Sequence, residues 1–326
     1  MIRKVEFAIL GAGAMGSIIG AHLARAGHQV AMLARGLRAE RIQNEGLRIT
    51  GLADFTSHVE VITEPRNLRT ADVLIVATKA IDTVGTLEPL RATDIGVALS
   101  IQNGVMKEEL LARVFGRTRI LGASANISGE LMSSGQVTFT RNDNILVGEC
   151  GGGVSVRAER VAAIMDASGV RAIAVADIRA QEWCKFAGWL GLMALAVTIR
   201  RNTWEFLLDP GAALVMVRVV RELERLAHVC GIELSAGATL PILDICRGSE
   251  SEAVEIVMRL GQAFRAGSPH HRVSTLQDLE AGRRLEIEET VGYAIRRGAE
   301  LGLRLPLLEM VFHIAGAIDR ARRSVK

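Results

Sequence analysis

The sequence predicts an α/β protein, with an N-terminal doubly wound parallel sheet followed by an all-helical C-terminal domain. In the first half of the chain, strand-like and helical segments alternate, as they do where helices connect the strands of a parallel sheet. After Ile178, apolar residues recur at spacings of three and four, which is typical of amphipathic helices. The 326 residues suffice for two cores, and we place the domains at residues 1–177 and 178–326.

The chain opens on a mostly apolar strand, Val5–Leu10, that runs directly into a G-x-G-x-x-G motif. In such a motif the first glycine permits a tight turn, the second lets the backbone approach a pyrophosphate, and the third lets the following helix pack against the strand. The helix N-terminus then presents N–H groups to the phosphates. Rather than a glycine-rich turn used only for packing, we predict a Rossmann-like dinucleotide site formed by Gly11, Ala12, Gly13, Ala14, Met15 and Gly16.

The other elements of the first domain are predicted from apolar runs bounded by turn residues. Further strands are expected at Gln29–Leu33, Val73–Thr78, Gly96–Ile101 and Ile120–Ala125. Two later segments flank Arg141–Asp143 and predict an antiparallel hairpin made of Gly135–Thr140 and Asn144–Gly148. The last elements of the domain are a helix at Arg157–Ser168 and a short strand near Ala172–Val175.

Helical periodicity places the main helices of the second domain at Gly211–Cys230, Ser251–Ala266, Glu286–Leu301 and Leu307–Arg322. The longest apolar run, Phe186–Ile199, has 14 residues. A membrane-spanning helix needs roughly 20, so we predict that this run forms a buried helix. The long amphipathic faces of the second domain are compatible with a homodimer.

Composition limits the classes of partner that the protein is expected to bind and indicates its cellular compartment. The net charge is +3, and the basic run at Arg320–Lys326 is expected to be a solvated tail. This balance argues against nucleic acid or a membrane surface as the main partner. The four cysteines form no C-x-x-C pair and lack metal-ligand spacing. With no secretory signal, we expect reduced thiols in a cytoplasmic protein without a metal site.

Ligands of doubly wound sheets bind beyond the carboxyl ends of the strands. The second strand ends at Arg35, where NAD-binding chains usually carry an acidic residue, and Arg38 follows closely. An arginine matches a 2′-phosphate, so NADP(H) is the predicted cofactor; a solvated surface arginine is the alternative. Lys79 and Asn103 follow the next two strands of this sheet and would face the cofactor, although capping or solvent exposure would also explain them.

A reductase also needs a proton donor beside the hydride acceptor. Lys185 is the candidate, because it precedes the apolar run and is flanked by aromatic and small residues. A desolvated lysine would release its proton more readily, as a general acid must. The alternative is a lysine whose ammonium reaches solvent from a helix end.

Over nearly its whole length the chain resembles the ketopantoate reductase (2-dehydropantoate 2-reductase) family. Each matching motif is weak by itself, but their order and spacing together are specific. The motifs are Gly11–Gly16, Gly27–Val30, Leu33–Gly36, Val76–Ala80, Gln102–Val105, Glu182–Lys185, Ser274–Asp278 and Leu285–Ile287.

The resemblance implies reduction of a 2-keto acid to a 2-hydroxy acid by NADPH, with Lys185 as the general acid and the two domains closing around the reactants. It also implies roles for five other residues. By this resemblance the adenosine-phosphate end is held by Arg35 and Lys79, the nicotinamide and substrate lie near Asn103, the substrate is contacted by Ser274, and the nicotinamide ribose and the lysine are fixed by Glu286.

One departure from the family bears on the substrate. Members usually carry asparagines four and eight residues after the lysine, whereas this chain has Trp189 and Met193. These positions share a helix face with the lysine, so the substrate-binding face becomes apolar. A pocket that loses hydrogen-bonding groups discriminates poorly for a hydroxylated substrate. We therefore consider a preference for an apolar or aromatic 2-keto acid, unless both side chains face the core.

Two other functions share parts of this pattern. A 3-hydroxyacid dehydrogenase of the 6-phosphogluconate type has the glycine fingerprint and a helical lysine, but lacks these Thr-Lys-Ala and Asn-Gly strand ends. A non-catalytic NADP(H) sensor would keep the nucleotide fold, yet would have no need of a proton donor such as Lys185.

Overall fold

A computed structural model describes residues 5–235 and 240–323, apart from the side chain of Asp82. It divides the chain into two compact units, Met1–Arg179 and Ala180–Lys326. The division falls two residues after the boundary that the sequence predicts.

The first unit contains two sheets with helices on their faces. Its strands are β1 (Val5–Leu10), β2 (Val30–Leu33), β3 (Leu47–Gly51), β4 (Phe55–Ser57), β5 (Glu60–Ile62), β6 (Thr70–Val76), β7 (Asp94–Ser100), β8 (Leu121–Leu131), β9 (Val137–Glu149) and β10 (Ala172–Ala174). Its helices are α1 (Ala14–Arg25), α2 (Gly36–Glu45), α3 (Thr83–Leu87), α4 (Lys107–Phe115) and α5 (Val156–Ala167).

The main sheet is parallel and has the order β5-β2-β1-β6-β7. From β1 the chain moves outward to one side and later returns to build the other side, so β1 is the point at which the strand order reverses. This topology confirms the predicted doubly wound α/β fold, and ligands of such folds bind at the reversal point. The outer strand β5 was not predicted, since three residues are too few to show a period.

The second sheet has the order β10-β9-β3-β4, with β8 paired to β9. Here the predicted hairpin is wrong, because residues 137–149 form one strand that pairs antiparallel with β8. The polar triplet does not turn the chain, because its middle residue is held by backbone groups of the segment between α5 and β10. Asn142 donates to the Gly169 carbonyl oxygen at 3.1 Å and accepts from the Arg171 N–H at 3.1 Å. Of the strand predicted at Ile120–Ala125, residues 121–125 lie in β8 and belong to this second sheet, whereas Ile120 forms an isolated parallel bridge with Ala98 of β7.

Two apolar clusters stabilise the first unit. One joins β1, α1 and the second sheet, and it includes Ile9, Ile18 and Phe139, each at most 2% exposed. The other lies on the opposite face of the main sheet and includes Leu111 from α4. Complete burial of such a side chain contributes about 1.5–3 kcal/mol, so α1 is held firmly against β1 by its apolar face.

The second unit is helical, as predicted. Its helices are α6 (Ile178–Ile199, which begins just before the division), α7 (Thr203–Leu207), α8 (Pro210–Val229), α9 (Ile242–Cys246), α10 (Glu250–Gly267), α11 (Ser274–Glu280), α12 (Val291–Glu300) and α13 (Pro306–Arg323). By length and composition α6 could cross a membrane, but 78% of its apolar window is buried within the structure, as in the core helix of a globular protein. Close packing there depends on Gly188, where a Cβ would lie 2.6 Å from Leu240 Cδ1.

One helix of this unit starts later than predicted. Residue 286 is in irregular backbone and residues 287–290 form turns, so α12 begins only at Val291. The turn is held from both sides, since Asp319 accepts the Leu285 N–H at 3.3 Å and the Thr290 hydroxyl donates to the Glu286 carbonyl. Asp319 and Thr290 thus hold a non-helical backbone that the apolar spacing alone would assign to helix.

The N-terminus of α13 is capped by a buried carboxylate from another helix. Glu222 of α8 is 4% exposed and accepts the N–H groups of Leu307 and Leu308 at 3.0 Å each. We expect Glu222→Ala to lower the free energy of unfolding by about 2–3 kcal/mol, because two buried donors lose a charged acceptor. Urea unfolding measures this change. The exposed Glu255→Ala on α10 is the control, expected within about 0.5 kcal/mol of the parent; equal effects of the two substitutions would contradict the capping role.

Candidate active site

Four strands of the main sheet end side by side. Leu10 is paired with both Leu33 and Val76, and Val76 is paired with Ser100. The ladder continues one step further, with the Ala77 N–H donating to the Leu10 carbonyl at 2.8 Å. The segments after β1, β2, β6 and β7 therefore leave from one edge, and they are the segments that carry the predicted glycine motif, Arg35, Lys79 and Asn103.

Two glycines of the motif are required by the protein's own packing. Gly11 has a φ of +109°, and a Cβ there would lie 2.7 Å from the Thr78 nitrogen. At Gly16, in the first turn of α1, a Cβ would overlap the Gly11 carbonyl oxygen and lie 3.1 Å from Ala77 Cβ. These contacts seat α1 against β1 and β6, as the sequence motif predicts.

The middle glycine differs, because nothing in the protein requires it. Gly13 precedes α1 with φ −72° and ψ −169°, a conformation open to any residue, and nothing lies within 4 Å of a Cβ placed there. The first turn of α1 carries no acidic side chain, and the first N–H groups of a helix have no partner within it. The open space therefore suits an anion bound at the helix N-terminus, and the loop fits the pyrophosphate of a dinucleotide.

Cationic side chains follow the two strands that flank β1. Arg35 is exposed and lies between β2 and α2, directly before the helix. Lys79 is half-buried and precedes the single 3-10 turn Ala80–Asp82 after β6. Positive charge on both sides of the glycine loop favours a phosphorylated ligand.

Arg38 does not share this exposure. Its guanidinium donates to the Ala12 carbonyl at 3.0 Å, to the Ser17 hydroxyl at 2.9 Å and to the Gly135 carbonyl at 2.6 Å. These acceptors belong to the glycine loop, to α1 and to the turn between β8 and β9. Arg38 thus braces the loop and does not stand beside Arg35 as a second phosphate ligand.

A buried glutamine, whose own role the sequence did not indicate, joins the ends of β6 and β7. The Gln102 amide donates to the Thr78 hydroxyl at 3.2 Å and to the Thr83 hydroxyl at 2.6 Å, and it accepts from the Ser100 hydroxyl at 2.9 Å. Thr83 in turn donates to the Lys79 carbonyl at 3.4 Å. In the sequence, the position of Gln102 directly before Asn103 was the signal that could have indicated its role. The hydrogen-bond network fixes the ends of β6 and β7, which lead to predicted site residues.

In the second unit, Lys185 lies in the second turn of α6. Lys185 itself is half-buried, while Trp183, Cys184 and Phe186 around it are at most 3% exposed. The lysine is therefore surrounded along the chain by apolar, desolvated neighbours.

The two positions that follow the lysine at helical spacing hold large apolar side chains. Trp189 is half-buried, and within the described residues its indole Nε1 is buried without a hydrogen-bond partner. Met193 is 1% exposed. Their placement as substrate residues stays a prediction, but neither side chain offers the hydrogen bonds of an asparagine amide pair.

The remaining predicted residues lie on two further segments of the second unit. Ser274 is the exposed first residue of α11. Glu286 is half-buried in the turn before α12, between Leu285 and Ile287, which are 2% and 5% exposed. Because both of its neighbours are anchored in the core, the backbone that carries the Glu286 carboxylate is fixed. The roles that the resemblance implies for Ser274 and Glu286 remain predictions.

Histidine, cysteine and carboxylate side chains do not converge on a metal site in the described ranges 5–235 and 240–323. In the adjacent pair His270 and His271, the second ring bonds the Thr203 hydroxyl through Nδ1 at 2.8 Å and lies 4.8 Å from the ring of Phe264. Its polar and apolar contacts are those of a packing residue.

Two family models match the chain. The model described as ketopantoate reductase PanE/ApbA matches residues 7–152, and the one for the C-terminal part of the same family matches residues 177–319. A 2-dehydropantoate 2-reductase of Archaeoglobus fulgidus is 30% identical over 98% of each chain. One of Nostoc sp. is 23% identical over 99% of this chain and 98% of its own.

Solved structures agree with these sequence matches. A PanE/ApbA family ketopantoate reductase from Ralstonia eutropha superposes with a TM-score of 0.82 at 25% identity, covering 98% of this chain and 100% of the other. D-mandelate dehydrogenase, solved with NADH and anilino(oxo)acetate, has a TM-score of 0.83 at 21% identity, covering 98% and 99%. At that identity the second likeness concerns the fold alone.

Proposed function

The chain belongs to the ketopantoate reductase PanE/ApbA family and is an oxidoreductase of that family, and on this premise we propose that it reduces ketopantoate or a related 2-keto acid with NADPH. The observation that carries the proposal is the open space at Gly13, at the N-terminus of α1 and between the strands that lead to Arg35 and Lys79. The family match does not favour a 3-hydroxyacid dehydrogenase of the 6-phosphogluconate type or a non-catalytic sensor.

The first unit would hold the cofactor through backbone and cationic groups. The N–H groups of the loop from Gly13 to Gly16 suit the pyrophosphate, and Arg35 and Lys79 suit the 2′-phosphate that distinguishes NADPH from NADH. Asn103, in the segment that follows β7, is assigned to the nicotinamide side. When bound, NADPH supplies a hydride to the carbonyl carbon of the substrate.

The second unit would supply the proton. We assign Lys185 Nζ as the general acid that protonates the carbonyl oxygen as negative charge develops there. Partial burial of Lys185 strengthens its electrostatic interaction with that oxygen. Glu286 would orient the ammonium group and the ribose, and Ser274 would contact the substrate. Groups positioned in this way would keep Lys185 Nζ within hydrogen-bond distance of the carbonyl oxygen.

The half-buried Trp189 favours a second candidate substrate class within the same reaction, whereas Met193, at 1% exposed, lies in the core. An indole in place of an asparagine amide suits a 2-keto acid with a branched or aromatic side chain better than one with a hydroxyl group. Steady-state NADPH oxidation with ketopantoate, 2-ketoisovalerate and phenylpyruvate separates the two. A higher kcat/KM for ketopantoate supports the family reaction, whereas a higher value for either other acid supports the altered pocket. Turnover of none of them would contradict the proposed function.

Arg35 should decide between the two nicotinamide cofactors. We expect Arg35→Glu to raise the Kd for NADPH about 100-fold, because a charge-assisted bidentate pair is replaced by repulsion. The Kd for NADH should change less than about threefold. Fluorescence titration with both cofactors measures this, and Arg66→Glu, at an exposed arginine of the same unit, is the control. Equal losses for NADPH and NADH would argue against a 2′-phosphate contact.

A further inference from the structure

The guanidinium of Arg38 connects three segments that are distant in sequence. Nε donates to Ala12 O, Nη2 to Ser17 Oγ and Nη1 to Gly135 O. The Ser17 hydroxyl also donates to the Ala12 carbonyl at 3.3 Å. An arginine has five N–H donors in a planar fork, and here each of its three nitrogens faces an oxygen of the protein. The fork is therefore committed to internal contacts.

The bond to Ala12 determines the direction of the neighbouring amide. The peptide between Ala12 and Gly13 is trans, and in a planar trans peptide the C=O and the next N–H point in opposite directions. Since the Ala12 carbonyl points at Arg38, the Gly13 N–H points away from it. Gly13 is the residue with open space at its Cα, so its amide is the first donor available to a bound pyrophosphate.

The third segment that Arg38 contacts, through the Gly135 carbonyl, is the turn between β8 and β9. This turn is closed by bonds from the Met132 N–H to the Gln136 carbonyl and from the Gly135 N–H to the Met132 carbonyl, both 2.9 Å. Arg41, one turn after Arg38 on α2, donates to the Ser133 carbonyl at 3.0 Å. Two arginines of α2 thus hold the turn, but only Arg38 also reaches the glycine loop.

We infer that Arg38 is a positioning residue for the cofactor, which aims the Gly13 amide at the pyrophosphate and makes cofactor affinity depend on the position of the β8–β9 turn. This inference rests on the proposed NADPH site. It assigns a binding role to a side chain that does not touch the ligand, and it makes the second sheet part of the cofactor-binding apparatus.

Two substitutions at Arg38 separate positioning from charge. Arg38→Lys keeps the charge but loses the fork, and Arg38→Gln loses both. We expect each to raise the Kd for NADPH about tenfold, as for the loss of one well-placed hydrogen bond. Binding of 2′-AMP, which has the 2′-phosphate but no pyrophosphate, should stay within about twofold for both variants. Arg66→Gln, at an exposed arginine of the same unit, is the control and should leave both Kd values within about twofold.

Other outcomes would overturn the inference. If 2′-AMP binding falls with NADPH binding and lysine restores both, Arg38 acts by its charge on the 2′-phosphate. If both ligands weaken along with a lowered Tm, Arg38 is only a structural residue. Unchanged NADPH binding in both variants also overturns it. Failure of the unmodified protein to bind NADPH would instead overturn the proposed function.

A double-mutant cycle tests the link to the turn. At Gly135, φ is +90°, a conformation that alanine rarely adopts, so Gly135→Ala is expected to strain and shift the turn; the added Cβ would also displace the Arg41 side chain. We expect this substitution to raise the Kd for NADPH about three- to tenfold in the parent, and by less than about twofold when Arg38 is already glutamine. Equal effects in the two backgrounds would show that the turn and the glycine loop are independent.

Discussion

Lys185→Ala is expected to lower kcat for 2-keto acid reduction by about 10²–10⁴-fold, the range that a positioned general acid contributes. The Kd for NADPH should stay within about twofold, because the lysine is assigned to the substrate and not to the cofactor. Without the ammonium group, the developing alkoxide would take its proton from water. Steady-state NADPH oxidation and fluorescence titration measure the two quantities on the same preparation.

Two companion variants identify what the lysine supplies. Lys185→Arg keeps a positive charge but does not release a proton near neutral pH, so it should be nearly as inactive as the alanine variant. Thr198→Ala, at an exposed position of the same helix, should retain full activity. If the arginine variant is active, the side chain acts by its charge alone. If the alanine variant keeps its kcat, Lys185 is not the general acid.

Gly13→Ala is expected to raise the Kd for NADPH about 100-fold or more, with little effect on folding. The Gly13 backbone conformation is open to alanine, and no protein atom lies within 4 Å of the added Cβ. The free energy of unfolding should change by less than about 1 kcal/mol, as for a modest change at a helix N-cap. The methyl group would instead occupy space needed by the pyrophosphate. Calorimetric titration and thermal unfolding measure the two effects.

Gly16→Ala is the matched control with the opposite expectation. Its Cβ would overlap the Gly11 carbonyl oxygen, so it should lower the Tm of the first unit before any ligand is added. Similar NADPH binding by Gly13→Ala and the parent protein would rule out a pyrophosphate at this loop. A large loss of Tm in Gly13→Ala would mean that the glycine serves the fold.

Features set by neighbours in sequence were predictable, and those set by distant partners were not. The strand, glycine loop and helix from Val5 to Arg25 form one local unit, and the sequence motif describes it fully. The polar residues 141–143 looked like a turn because their partners, at Gly169 and Arg171, lie 27 and 29 residues from Asn142. The late start of α12 depends on Asp319, 34 residues from Leu285.

The site residues divide in the same way. Arg35 and Lys79 could be located because each follows a strand in sequence. The internal role of Arg38 depends on oxygens at Ala12 and Gly135, which are 26 and 97 residues away. No local pattern distinguishes a bracing arginine from a phosphate-binding one, so the sequence grouped Arg35 and Arg38 together.

The hydroxyl network around Gln102 has a direction, since Ser100 gives its proton to the glutamine, the glutamine donates to Thr83, and Thr83 donates to the Lys79 carbonyl. Each hydroxyl has a single proton, so no member can reverse alone. The effects of substitutions at these positions are therefore coupled. Serine at position 83 would keep both hydrogen bonds of the Thr83 hydroxyl. Valine would leave one N–H of the Gln102 amide without its acceptor and would remove the bond to the Lys79 carbonyl.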